Sequence, residues 1–254
     1  IIMKIDRVLF CLNDNPDYFG LWEVNSRVWS LKYNATPTLF YSGDRDSLVA
    51  RSLSDKYGDI VFLPRIKKEV CNGYRRQWYI TWALFYDEIC MTSGIDQIPL
   101  SFDFNDRIED IGRDKYVVGF SDAYGREDFF PSSHHVALGR KFKEKYKPSG
   151  TWESEVERLY EMRGKYKLYD GGFWGLDEAY SSECLASEGG GRDVYFVKDF
   201  FHKVWHPKRI DRVNGLKYDI PRLRRGGYSE LHSPRPYGLY SSEVDRIVYL
   251  AHGV

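Results

Sequence analysis

Four short apolar runs limit what this chain can become: Arg7–Leu12 (R-V-L-F-C-L), residues 37–41 (P-T-L-F-Y), residues 59–63 (D-I-V-F-L) and Ile89–Thr92 (I-C-M-T). Runs of this length with little polar alternation are typical of strands covered on both faces. The segments between them carry a different period. Tyr18, Leu21, Trp22, Val28 and Trp29 recur at spacings that stripe one side of a helix. Asn15 stands ready as its cap, with Pro16 at the first helical position. A polar helix is predicted over residues 46–57, and Tyr74, Trp78, Trp82 and Phe85 form the buried stripe of a third. Strands alternating with helices predict an α/β fold: an open, mostly parallel, Rossmann-like sheet with helices on both faces. In such sheets ligands bind beyond the carboxyl ends of the strands. That rule selects Asn13 and Asp14, then Ser42-Gly43-Asp44, then Gly94-Ile95-Asp96.

The second half is less regular. A strand is expected over residues 115–121 and a helix over 151–163, capped by Thr151 with acids early and Arg163 late. A glycine-rich, aromatic turn (Gly171-Gly172-Phe173-Trp174-Gly175) precedes a helix over 176–187, and a short strand follows over 194–197. The tail beyond Phe200, rich in His, Arg, Pro and Gly, reads as a wrapping segment. With neither repeat nor linker, the 254 residues are expected to form one domain. Lys+Arg and Asp+Glu are both 37, which argues against a nucleic-acid partner needing a basic surface. Four scattered cysteines make no C-x-x-C unit, so neither a zinc site nor a disulfide framework is expected. No stretch has the length or apolarity of a membrane span or a signal peptide, so the expected setting is cytoplasmic. The phosphate-loop, G-x-G-x-x-G and G-x-S-x-G motifs are missing from the sequence, which removes support for kinases, conventional NAD enzymes and α/β-hydrolases.

Chemistry can be carried by few places. Asp96, in a glycine-containing turn at a strand's end, can hold Mg²⁺ or Mn²⁺ against a diphosphate, though a turn also uses an Asp as a cap. Asp177 and Glu178 open a helix beside Phe173 and Trp174. An acid against such a wall can have its pKa raised into the range of a general base, although two acids also suit a helix start. Arg75, Arg76, Lys203, Lys208, Arg209 and Arg235 could meet phosphate, and Arg76 is preferred because its helix precedes the Asp96 strand.

Gly94-Ile95-Asp96, with the following Gln97-Ile98-Pro99-Leu100-Ser101 and the later Phe120-Ser121-Asp122-Ala123-Tyr124-Gly125, resembles the GT-A nucleotide-diphospho-sugar transferases, in a branch found in viruses and bacteria. Those enzymes typically carry Asp-x-Asp where this chain has Gly94-Ile95-Asp96, so only Asp96 carries over. The resemblance implies a single GT-A-like domain, with a nucleotide-sugar half over 1–112 and an acceptor half over 113–254. It implies glycosyl transfer from a UDP- or GDP-sugar to a glycan or other hydroxyl acceptor, assisted by Mn²⁺ or Mg²⁺. Asn13, Asp14 and Asp44 would contact base and ribose; Arg76, Gly94, Ile95 and Asp96 the phosphates. Asp96, His206 and His232 would hold the metal. Asp122, His134 and Trp174 would face the acceptor, and Asp177 or Glu178 would activate it. Two alternatives are a nucleotidyltransferase of the same fold and a non-catalytic glycan- or nucleotide-binding module.

Overall fold

The computed structural model describes residues 3–66, 83–101, 104–119, 129–148, 150–166, 175–186, 193–197 and 208–254. The first strand, β1 (Arg7–Leu12), leads through a 3-10 turn at Pro16–Tyr18 into α1 (Leu21–Tyr33). Asn15 caps as expected, but it caps the 3-10 turn, accepting the Asp17 N–H at 3.0 Å. Gly20, at φ 88°, then resets the chain, so the helix begins at Leu21 and excludes Tyr18. A β-carbon at Gly20 would stand 2.6 Å from the ring of Tyr237, so glycine is required there for space as well as for φ.

Next come β2 (Thr36–Tyr41), α2 (Leu48–Ser52), β3 (Asp59–Phe62) and β4 (Ile89–Thr92). The helix expected over 46–57 shortens to one turn and a half. Ser47 caps it, its Oγ accepting from Ala50 N at 3.0 Å, and Leu53 is already extended. After β5 (Gln97–Pro99) and α3 (Phe104–Ile108) come β6 (Tyr116–Val118) and β7 (His135–Leu138). Three helices follow: α4 (Gly139–Tyr146), α5 (Trp152–Glu161) and α6 (Leu176–Ala186). Thr151 caps α5, accepting from Ser154 N at 3.3 Å.

The tail does more than wrap. After the expected short strand, β8 (Val194–Phe196), it forms β9 (Arg209–Asp211), α7 (Ile220–Arg224), β10 (Glu230–His232) and α8 (Ser241–His252).

Among the described residues, seven strands form one sheet in the order β3-β2-β1-β4-β7-β6-β8. Every neighbouring pair is parallel except the two that β7 makes, so one strand runs against six. Both faces are covered. Val8, Phe10, Leu12, Leu39 and Met91 point into a core with Trp22, Val28 and Trp29 of α1 and Val244, Ile247 and Val248 of α8. Leu9, Phe40, Cys90 and Val118 point the other way, onto Phe142 and Tyr146 of α4, Leu159 of α5 and Leu176 and Leu185 of α6. Alternate residues of β1 thus serve opposite cores, which explains its continuous apolarity. Each fully buried apolar side chain, such as Phe10 at 0% exposure, contributes about 2 kcal/mol. A second sheet, β5-β10-β9, shares the α1 core through Ile98, Ile210 and Leu231. Among the described residues no helix is long and apolar enough to cross a membrane.

Candidate functional site

The strand order reverses at β1: β2 and β3 lie on one side of it, β4 on the other. This is where open α/β sheets gape beyond their carboxyl ends. The loop leaving β1 is tied down by its own side chains. Asn13 Oδ1 accepts from Asn15 N at 3.1 Å, and the Asp14 carboxylate accepts from the Tyr41 hydroxyl and from Asp44 N. Asp44 in turn caps its own turn through Asp46 N at 2.9 Å. Burial opposes ionisation of Asp14, but these donors together hold its pKa below the ordinary value. Asn13, Asp14 and Asp44 are therefore neighbours, with Arg65 3.8 Å from Asp14 beside them.

The loop leaving β4 is equally determined. Gly94 N–H donates to Gln97 Oε1 at 2.9 Å, and a β-carbon at Gly94 would come within 2.8 Å of that oxygen. The Ile95 carbonyl accepts from the buried Asn25 side chain at 2.7 Å, locking the turn onto α1. Pairing of Gln97 in β5 with His232 in β10 then brings the second sheet to Asp96, whose carbonyl accepts from Ser233 N at 2.8 Å. Three cationic side chains meet Asp96 Oδ2: Arg212 Nη1 at 2.7 Å, His232 Nε2 at 3.4 Å and Arg235 Nε at 3.8 Å. Arg235 also lies over the ring of Tyr18, 5.1 Å from its centre, and donates to its hydroxyl. Burial would raise the Asp96 pKa, yet His232 and Arg212 hold it well below the carboxylate range.

Behind Asp96 runs a chain of alternating charge. β9 and β10 pair in parallel with Arg209 opposite Glu230 and Asp211 opposite His232. These four share one face, while Ile210 and Leu231, both 0% exposed, fill the other. His232 Nδ1 meets Asp211 at 3.1 Å, Arg209 meets Asp211 and Glu230 at 3.3 Å each, and Glu230 meets His134 Nε2 at 3.4 Å. Burial disfavours the His232 imidazolium, but Asp211 and Asp96, one on each ring nitrogen, raise its pKa above the ordinary value.

Asp177, in the first turn of α6, stands at the same end of the large sheet. Its Oδ2 accepts from Ser132 Oγ at 3.0 Å, and the Ser132 carbonyl accepts from Thr92 Oγ1, the last residue of β4, at 2.8 Å. Only 7% exposed, Asp177 has its pKa pushed up to about 6 by burial, with the Ser132 hydrogen bond opposing. Glu178 is half-buried and lies against Gly175.

The sequence matches no family model and no curated protein. Among solved structures, the galactosyltransferase LgtC, crystallised with donor and acceptor sugar analogs, matches over 98% of this chain and 96% of its own. The TM-score is 0.52 at 12% identity. The fold is GT-A-like. The glycosyltransferase GlyE of Streptococcus pneumoniae matches over 78% of the chain at a TM-score of 0.42 and 11% identity, and this chain spans 46% of GlyE's length. These likenesses concern the fold.

On this GT-A-like frame the structure brings Asn13, Asp14 and Asp44 to one loop pair, and Gly94, Ile95, Asp96 and His232 to another. His134 is drawn inward instead. It is 1% exposed at φ 61° and pairs with Glu230, so it ties the two sheets together and presents no open surface to an acceptor. Arg76, Asp122, Trp174 and His206 lie outside the described residues.

Asp96 and His232 do meet, as a cation site requires, but they meet in company. Arg212 and Arg235 point at the same carboxylate oxygen, and like charge opposes a divalent ion there. Among the described residues no group of three or more His, Cys, Asp or Glu side chains could hold a metal ion. Among the described residues, Asp96 and His232 beside two arginines do not make a ligand set for Mn²⁺ or Mg²⁺. Sequence reasoning missed Arg212, Asp211, Glu230 and Ser132, and passed over Arg209 and Arg235 in favour of Arg76. The available signal was the alternation R-I-D and E-L-H, two short stretches with a single apolar residue between charges.

Proposed function

We propose that this chain transfers a glycosyl group from a UDP- or GDP-sugar to a hydroxyl of a glycan or other acceptor. One observation carries the proposal: a cluster of cationic side chains on Asp96 and a buried acid of raised pKa, Asp177, both lie at the carboxyl end of β4 in a GT-A-like sheet. In the reaction, the bond from the anomeric carbon to the diphosphate oxygen breaks, and its electron pair leaves with the nucleoside diphosphate. The acceptor oxygen bonds to the anomeric carbon, and its proton passes to the Asp177 carboxylate. A pKa of about 6 leaves that group largely ionised at neutral pH yet more basic than an ordinary Asp. Ser132 donates to one of its oxygens, and the backbone N–H groups of Asp177 and Glu178 also donate to the carboxylate, so the acid is held in place at the start of the helix.

The test follows release of nucleoside diphosphate from UDP- and GDP-sugars across a panel of acceptors. Asp177→Asn is expected to lower turnover by roughly 100-fold or more, with nucleotide affinity unchanged; Glu178→Gln run in parallel identifies which acid acts. Release of pyrophosphate would point to nucleotidyl transfer instead. Tight nucleotide binding without turnover on any acceptor would point to a binding module.

A further inference from the structure

We infer that Arg212 and Arg235, anchored by Asp96, bind the donor's diphosphate directly, taking the part a divalent cation plays in an Asp-x-Asp site. The inference rests on the transferase proposal and specifies how its donor is held. The two arginines come from separate segments, one just after β9 and the other just after β10. They converge on Asp96 Oδ2 at 2.7 and 3.8 Å. One carboxylate cannot neutralise two guanidiniums, and the neighbouring acids are already engaged: Asp211 by His232 and Arg209, Glu230 by Arg209 and His134. Among the described residues Asp96 is the one carboxylate within ion-pair distance of Arg212 and Arg235, so guanidinium charge exceeds carboxylate charge at that point.

Donors are left over as well. Arg212 spends Nη1 on Asp96 and on the Ser233 carbonyl, and Arg235 spends Nη1 on Tyr18 and directs Nε at Asp96. Among the described residues, Arg212 Nε and Nη2 and Arg235 Nη2 have no hydrogen-bond partner, and the two side chains are 21% and 26% exposed. Guanidinium N–H groups held in place by a buried anchor, open to solvent and carrying surplus charge match the oxygens of a diphosphate. They lie where the strand order reverses, with Arg235 reaching Tyr18 beyond β1 and both arginines reaching Asp96 beyond β4. Gly94 supports the same assignment: the oxygen of Gln97 occupies the space that a first acid of an Asp-x-Asp pair would need.

The experiment is calorimetric titration of UDP, GDP and inorganic pyrophosphate into the full chain, once in EDTA and once in Mn²⁺. One nucleotide is expected to bind in EDTA with an affinity that Mn²⁺ does not improve. Arg212→Gln and Arg235→Ala should each weaken that binding roughly 10-fold or more while leaving the affinity for the bare nucleoside unchanged; nucleoside binding also certifies that each variant is folded. Asp96→Asn separates the two roles most sharply. It removes an anchor and a negative charge, so diphosphate binding should persist, whereas a metal ligand's loss would abolish it. Binding only in Mn²⁺, and lost in Asp96→Asn, overturns the inference and leaves the transferase proposal standing. Binding of no nucleotide under either condition overturns both.

Discussion

Asp177 holds its carboxyl in surroundings that favour the neutral acid, and this has a sign that can be measured. Its pKa rises from 3.8 to about 6 on folding, so between those values the native state binds the extra proton and stability falls as pH rises. Above pH 6 the buried anion costs about 3 kcal/mol at most. Asp177→Asn, which can keep the Ser132 hydrogen bond, is therefore expected to raise the unfolding free energy by about 1–3 kcal/mol at pH 8 and to leave it unchanged near pH 4. Urea denaturation at the two pH values checks this. A variant that loses turnover while gaining stability at pH 8 only would separate a catalytic acid from a merely structural one. Gly94→Asp is the complementary case. It recreates the Asp-x-Asp spelling, but its β-carbon would enter the space of Gln97 Oε1; the expected result is about 1–3 kcal/mol of destabilisation and no gain in Mn²⁺ affinity. Both positions were legible in the sequence, Asp177 as an acid at a helix start and Gly94 as a departure from a motif. Their partners Ser132 and Gln97 were not, because neither residue type announces a contact 45 positions away or a hydrogen bond back into its own turn.

At the scale of elements, the β9–β10 pair shows where sequence patterns run out. A period of two needs several repeats to be recognised, and R-I-D and E-L-H offer one apolar residue each. Charged residues are mostly exposed, so isolated triplets of this kind read as surface. Here the register places opposite charges side by side, and burial converts them into an obligatory network. Removing the shared cation should be severe. Arg209→Met leaves Asp211 and Glu230 as neighbouring buried carboxylates, with an expected loss of about 3–5 kcal/mol. Thermal denaturation checks it, and adding Glu230→Gln to the same chain should recover part of the loss, because one of the two orphaned charges is gone. If Arg209→Met proved as stable as the parent, the network would not be what joins β9 to β10. By contrast β1 to β4 were legible almost to the residue, since each is a short apolar run bounded by turn-forming residues, buried almost throughout in β2 and β4 and part-buried in the edge strand β3. The Thr151 cap was legible too, because its hydrogen bond is made within its own helix turn.

For the whole molecule, alternation of strand and helix implied a mostly parallel sheet, but not the one strand that runs against it. That strand is β7, whose four residues H-V-A-L were not read as extended structure from the sequence. His135 anchors this strand. Its Nε2–H donates to the Pro131 carbonyl at 2.8 Å and Nδ1 accepts from the Tyr116 hydroxyl at 3.0 Å, so the neutral imidazole joins β7 to β6 and to the loop carrying Ser132. Burial pulls its pKa down to about 4. The unfolded state therefore binds the extra proton between about pH 4 and pH 6.5. His135 stabilises the fold fully above that window, and the contribution is lost as pH falls through it. Asp177 does the reverse over nearly the same range, and the two are connected through the Pro131-Ser132 stretch. His252, also held low by burial, adds to the side of His135. In the parent chain Asp177 should consequently offset part of the rise in stability that His135, His252 and the carboxylates held low, Asp14 and Glu230 among them, contribute from pH 4 to 6. Asp177→Asn should steepen the rise of stability with pH by about 1.4 kcal/mol per unit, and His135→Gln should tilt it downward by a similar amount. Unfolding free energies measured at half-unit steps across pH 4–6.5 for the three chains decide it. Parallel curves would mean that neither proton is exchanged on folding, and the raised basicity assigned to Asp177 would fall with them.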